Sequence, residues 1–300
     1  MSAPKTRKTG LPMALAAYTI WGFLPLYIAL LARVSAFELV AWRVIFTVPF
    51  CLAIAFFRRQ LGDIARACGD WSVLRRLFAS SALIAVNWVV YIAAVNGGQI
   101  YAASLGYYIN PLVNVLLGTL FLGERLNRPQ WLAVALAGVG VAVLLYGATD
   151  TLWISLVLGL TFGVYGLVRK LAPVGSLPGL TIEAALLLPL AAATAWWFAA
   201  GDRHSAFGHD FATSALLVGA GVLTAVPLLL FAVAARRMDY STLGFVQFLS
   251  PTIAFVLALT VFGEPLRPVQ LASFVLIWAA IALFSWDLLR RRAASAKPPA

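Results

Sequence analysis

Acidic residues are scarce in this sequence. Asp and Glu together number 11 in 300 residues, Lys and Arg number 22, and charged residues of both signs make up 11% of the chain. So few charges cannot clothe the surface of a soluble domain of this length, and a hydrophobic share of 62% excludes a sizeable soluble core. Cysteine and histidine each occur twice. Cys51 falls inside an apolar run and Cys68 in a basic connection, with no companion ligand near either, which sets aside a disulfide scaffold and a redox or metal pair. No G-x-x-x-x-G-K-[ST] loop is present, so neither ATP nor any other cofactor is called for by the sequence.

Hydrophobic length is what the chain has instead. Apolar runs recur over residues 11–31, 37–57, 76–95, 102–122, 129–147, 151–168, 179–199, 212–234, 241–262 and 268–287. Each is close to the ~20 residues that cross ~30 Å of hydrocarbon as a helix. An all-α polytopic membrane protein of ten transmembrane helices is the fold expected, with the lipid bilayer as its first partner. The first run is longer than the apolar core of a signal peptide and carries Trp21 and Pro25, so it reads as a retained helix despite Val34-Ser35-Ala36 after it.

The net charge of +11 does not point to nucleic acid, because the bases sit in short clusters between the apolar runs. Assigned to alternate connections, eighteen bases fall on the side of the N-terminus and three, Arg33, Arg203 and Arg267, on the other. The positive-inside rule then places both termini in the cytoplasm of a cell inner membrane protein. Arg43 alone lies within a span.

Much of the stretch Ala103 to Leu126 is repeated in Ser241 to Leu266. Pro111 is followed twelve residues later by Gly123-Glu124, and Pro251 twelve residues later by Gly263-Glu264. The offset of 140 also carries Pro49 onto Pro189, Leu126 onto Leu266 and Gln130 onto Gln270. A repeat of this length is a duplicated half-protein. With five spans in each half, an odd number, the second half enters the membrane in the opposite sense, an arrangement suited to alternating access. The expected organisation is a tail over residues 1–10, a first repeat over 11–147, a second over 151–287 and a basic tail over 288–300. Gly123-Glu124 is then cytoplasmic and Gly263-Glu264 external.

Charges inside the spans narrow the candidate site. Glu38 lies one residue inside the second span, where headgroups or water can solvate it. The offset maps Arg43 onto Glu183, at matching depths in opposite leaflets with α-carbons ~12 Å apart along the normal. Such groups serve either as a structural ion pair or as a substrate or proton site. Tyr18, Trp21, Asn87, Trp88, Tyr91, Asn110, Asn114, Tyr165 and Gln247 complete the polar and aromatic set. Their amides must face protein or a wet cavity, either as helix-to-helix hydrogen bonds or as cavity lining. Pro111 and Pro251 mark a fixed kink or a hinge in the fourth and ninth spans. Gly159-x-x-x-Gly163 and Gly138 with Ala142 are small-residue spacings for close helix packing. Asp202, His204, His209 and Asp210 share an irregular loop and read as solvated rather than metal-binding.

The duplicated P-x11-G-E motif, the ten spans and Trp21-Gly22 resemble the EamA domains of the drug/metabolite transporter superfamily. WGFLPLY, NWVVYIAAVN, ASLGYYINPLVN, FLGERL, YGLVRK, TIEAALLLP and STLGF are similar to its RarD branch, whose members are often labelled chloramphenicol-sensitive. The resemblance covers about Gly10 to Asp287. It implies a secondary transporter that exports a small-molecule metabolite, with a cavity bounded by spans one, three, four, six, eight and nine. Within it, substrate binding is expected of Tyr18, Trp21, Arg43, Asn87, Tyr91, Asn110, Glu183 and Gln247; the residues leave open proton coupling through Glu183, exchange and facilitated diffusion. Two other classes stand against this. A partner-binding or structural membrane protein would not need inverted halves, and an intramembrane enzyme would need a catalytic His or a close carboxylate pair that the spans lack.

Overall fold

A computed structural model describes residues 10–96, 100–146, 152–200, 205–263 and 265–295, with side chains for all of these except 95–96, 100–104 and 292–295. Glu264, Asp202, His204, Arg203, Lys5, Arg7, Lys8 and Lys297 lie outside the described residues. The described residues form twelve helices: α1 Leu11–Leu30, α2 Ala36–Phe57, α3 Leu61–Gly69, α4 Trp71–Asn96, α5 Ile100–Phe121, α6 Arg128–Leu145, α7 Leu152–Leu171, α8 Ser176–Ala200, α9 Phe211–Arg237, α10 Tyr240–Gln247, α11 Leu249–Thr260 and α12 Pro268–Ser295. Among the described residues nine spans are long and apolar enough to cross a bilayer, and α5 adds a shorter apolar stretch, Leu105–Phe121. This is a multi-pass membrane protein of about ten spans, in which α10 and α11 together make the ninth.

The packing is paired. Besides α2 against α8, α6 against α12 and α5 against α10, the three most extensive contacts each have a counterpart five spans along, whereas α7 on α9 has none of like extent among the described residues. Thus α5 on α7 answers α10–α11 on α1, α4 on α7 answers α9 on α1, and α2 on α9 answers α8 on α4. The small residues that permit this are visible on the helices. Gly159 and Gly163 lie against Ile109 and Val113 of α5, where any Cβ would collide, so this expected spacing does pack two helices. The second expected pair does not, because Gly138 meets nothing within 4 Å and Ala142 is exposed. Gly140 takes its place, its would-be Cβ only 3.0 Å from the Ser273 carbonyl of α12.

The repeated motif has a local cause. Gly123 and Gly263 have φ of 65° and 66°, the left-handed turn that ends a helix and that only glycine adopts without strain. Glu124 then reaches across to the start of α10, where its carboxylate accepts from the Tyr240 amide at 2.5 Å and the Ser241 amide at 2.8 Å. It supplies acceptors to two of the four amides that a helix start leaves unpaired. Gln130 accepts from the Asn127 amide and Asn127 from the Gln130 amide, a capping box at α6, and Gln270 likewise accepts from the Arg267 amide. Asn127 also donates to Asp287 at 2.7 Å, tying α6 to α12.

Four sequence expectations need correction. Residues 61–69 are a short amphipathic helix rather than a loop, because Ile64 and Ala67 have an apolar seat on Val73, Leu77, Ala172 and Ile182 while Asp63 and Arg66 pair outside. Span six extends to Leu171, which takes Arg169 out of the connection and into the bundle. The last helix runs to Ser295, so Arg290 and Arg291 continue it instead of opening a tail. Glu38 is not solvated at the interface. It is 3% exposed, and its Oε1 accepts from Ser205 Oγ at 2.7 Å, the Ala206 amide at 2.8 Å and Trp42 Nε1 at 3.2 Å.

The two proline helices behave differently. α5 runs unbroken through Pro111, whereas the ninth span breaks at Phe248. Pro251 has no amide for the Gln247 carbonyl and its ring crowds that oxygen, which accounts for the break. Near the other end of α9, Asp210 caps the helix by accepting from the Thr213 amide at 2.7 Å. Hydrogen bonding by Thr213 holds this carboxyl below the ordinary aspartate value.

Candidate functional site

Arg43 on α2 and Glu183 on α8 occupy equivalent places in the exchange of halves, and each faces the equivalent helix of the other half. Arg43 Nε donates to Thr224 Oγ1 of α9 at 2.8 Å, and its Cζ lies 5.5 Å from the centre of the Trp88 ring. Glu183 accepts from Ser80 Oγ of α4 at Oε1 and from the Tyr165 hydroxyl at Oε2, at 3.4 Å. Glu183 lines one pocket, with Thr47, Ile84, Trp88, Tyr165, Leu187 and Thr224 among others. Arg43 lines a second, with Tyr27, Leu39, Leu223 and Thr224. Thr224 belongs to both, so the Arg43–Thr224 bond is part of the wall between them.

Arg43 and Glu183 do not pair with each other. The partner of Glu183 is Arg169, with Nε 3.5 Å from Oε1 and side chains 1% and 3% exposed. That approach makes an ion pair by distance but lacks the geometry of a hydrogen bond, and Arg169 Nη1 has no partner. Its Nη2 donates to the Ser176 carbonyl at 3.0 Å, and Gly179 of α8 leaves the room that the guanidinium fills. Sequence reasoning missed Arg169 because a base at the end of an apolar run reads as a topology signal. Only Glu183, fourteen residues further along the chain, hinted at a partner.

The remaining expected residues fall into two further groups. Gln247 Oε1 accepts from Asn114 Nδ2 at 2.8 Å and from the Tyr18 hydroxyl at 3.5 Å, joining α1, α5 and α10. Beside them Trp21 packs on Tyr18, Phe162 and Phe231 with ring centres 5.6–5.9 Å apart, and Tyr165 stacks on Phe231 at 6.3 Å. This aromatic cluster fills the meeting place of α1, α7 and α9 and runs on to Glu183 through Tyr165. Tyr91 lies with Tyr107 at 6.2 Å, near Arg43.

Asn87 is a helix-to-helix tie, its Nδ2 donating to the Leu158 carbonyl and to Thr161 Oγ1, both at 2.9 Å. Asn110 is 1% exposed and neither atom of its amide has a protein partner. An unpaired buried amide costs about 1–3 kcal/mol, so this residue is not kept for stability. Lone hydroxyls such as Thr224 and Ser80 gave no signal in the sequence, since a serine or threonine in a span can satisfy itself on the preceding turn. Among the described residues no group of three or more His, Cys, Asp or Glu could hold a metal.

Paired apolar helices that gather their ionised groups around small interior pockets are the architecture of a multi-pass membrane protein that handles a solute. The comparisons with known proteins bear on which one. The model of the EamA-like transporter family matches residues 8–146. An uncharacterized transporter of Pseudomonas aeruginosa is 45% identical over 290 residues, covering 94% of this chain and 95% of that protein. The RarD protein of Escherichia coli is 41% identical, covering 96% and 97%. The chloramphenicol-sensitive protein RarD of Pseudomonas aeruginosa is 32% identical, covering 95% and 97%. A solved crystal structure matches with a TM-score of 0.72 at 19% identity over 95% of this chain and 100% of that one, a likeness of fold. The chain belongs to the RarD-like branch of the EamA-like transporter family, within the drug/metabolite transporter superfamily.

Proposed function

We propose that the protein is a secondary transporter that exports a small organic metabolite across the inner membrane, by alternating access between two inverted halves, residues 11–147 and 151–287. The observation that carries this reading is the pairing of helix contacts under a five-span exchange, with Arg43 and Glu183 lining two pockets that share Thr224. Two such halves can rock about a shared centre so that the pocket communicates with one face at a time. The interrupted ninth span supplies a flexible point at Phe248, and the unpaired Asn110 and the Tyr18–Asn114–Gln247 group face the moving seam. Family membership favours a transporter over an enzyme. Proton coupling runs through Glu183 in this reading, and the termini lie in the cytoplasm.

The test is solute flux into or out of proteoliposomes holding the full chain. Flux of a solute that emerges chemically unchanged is the expected result, and a bound solute that never crosses would defeat the reading. The inverted arrangement is tested separately. In a Cys68→Ser background, Arg125→Cys is expected to react with a membrane-impermeant maleimide only from the cytoplasmic side and Pro265→Cys only from the outside. Both reacting from one side would end the two-inverted-halves account.

A further inference from the structure

We infer that Arg43 is the recognition point for a carboxylate, and that the transported solute is a small organic monoanion with an apolar or aromatic body and no ammonium group. This rests on the transporter reading above and names its substrate class. The guanidinium is held on two sides. Nε is bound to Thr224 Oγ1, which in turn donates to the Ala220 carbonyl at 2.7 Å, and the Trp88 ring lies against the guanidinium 5.5 Å from Cζ. The edge formed by Nη1 and Nη2 makes no protein hydrogen bond among the described residues.

No acid is left for it either. Arg43 forms no ion pair among the described residues, and the three buried acids of the spanning helices are engaged elsewhere, Asp287 by Arg291 and Asn127. Glu183 is held by Arg169, Ser80 and Tyr165, and Glu38 by Ser205, Ala206 and Trp42. A fixed cation inside an apolar bundle, without a counter-charge, is costly unless something else supplies the negative charge. The exposed edge of an arginine offers two parallel N–H donors, the geometry that a planar carboxylate accepts in pairs.

The surroundings define the rest of the ligand. Trp88, Tyr91 and Tyr107 present flat apolar surface beside the cation, which suits a hydrocarbon or aromatic body. With Glu38 and Glu183 both committed, no free carboxylate stands ready for an ammonium. A zwitterion therefore binds less well than the corresponding simple acid.

The experiment uses detergent-purified full-length protein and three probes of one shape: 3-phenylpropanoate, its neutral amide 3-phenylpropanamide, and phenylalanine. Binding is measured by calorimetry and by thermal shift. The acid is expected to bind wild type about tenfold or more tightly than the amide, with phenylalanine between them. Arg43→Gln is expected to abolish the preference, and Arg43→Lys to keep part of it, since the charge survives without the two-pronged edge. Equal binding of acid and amide, no acid binding up to about 10 mM, or an intact preference in Arg43→Gln would each overturn the inference. The wild-type comparison of acid with amide decides the matter even where a variant folds poorly. A neutral solute carried through liposomes without acid preference would sink this inference and leave the transporter reading standing; acid bound at Arg43 but never carried would do the reverse.

Discussion

Glu183→Gln is expected to lower the stability of the folded bundle by about 3–5 kcal/mol, because it strips the counter-charge from a buried arginine. Arg169 is 1% exposed, and its remaining protein bond is the one to the Ser176 carbonyl. Neutral glutamine fills the same space and its one carbonyl oxygen can still accept from Ser80 or Tyr165, so most of the loss is electrostatic rather than one of packing. Removing both charges tests that cause. Glu183→Gln combined with Arg169→Met is expected to recover most of the stability, since an apolar residue of similar length replaces a desolvated ion. Denaturant unfolding in detergent, run as a double-mutant cycle, measures the coupling. A single substitution costing less than about 1 kcal/mol would mean that the pair does not hold α7 to α8. Transport distinguishes the second role of Glu183. The double variant is expected to fold and stay inactive; recovered flux would make Glu183 a structural residue only.

Glu124→Ala is expected to cost about 2–3 kcal/mol, the worth of a charged cap on two helix amides. The carboxylate joins the end of the first half to the start of α10, so its loss also frees that end of the bundle. Lys170 and Arg236 hold the same end, the first through the Ala235 and Met238 carbonyls at 2.7 and 2.6 Å and the second through the Ala172 carbonyl at 3.1 Å. If these bonds close one face of the transporter, Glu124→Ala shifts the population toward the state open there, by about 30-fold or more. Ser241→Cys, buried behind the carboxylate, reports it: its maleimide reaction should accelerate in the Glu124→Ala background. Unchanged stability together with unchanged reaction rate would show that the contact is incidental. Glu124→Gln, which keeps one acceptor, should fall between.

Most of the scaffold was legible because long apolar runs leave little choice. A bilayer solvates no backbone amide, so each run had to be a helix, and its length followed from the membrane. The Gly-Glu repeat was equally readable, although its reason, a left-handed turn followed by a capping carboxylate, needed coordinates. The site was harder. Arg43 and Glu183 stood out as charges where charge is expensive, at positions 140 residues apart. Their partners did not stand out. Arg169 was hidden by its position at a helix end, Thr224 and Ser80 by the ordinariness of a hydroxyl in a span, and the aromatic cluster by the abundance of aromatics. Depth along one helix can be counted from sequence, whereas which faces meet depends on how five helices of one half lean on five of the other. The break at Phe248 belongs to the same class, since Pro111 and Pro251 look alike in sequence and only one of them interrupts its helix.

The opposite signs at Arg43 and Glu183 bear on how such a molecule could have arisen. Two copies of one half, assembled as a dimer, would present the same residue at both places: two cations or two anions. A mutation that improved one position would change the other with it. Joining the halves in a single chain removes that constraint, and each position can then be selected alone. In the proposed two-halves reading, the charge difference between residue 43 and residue 183, like the unbroken α5 beside the interrupted ninth span, is divergence that a single gene for both halves permits.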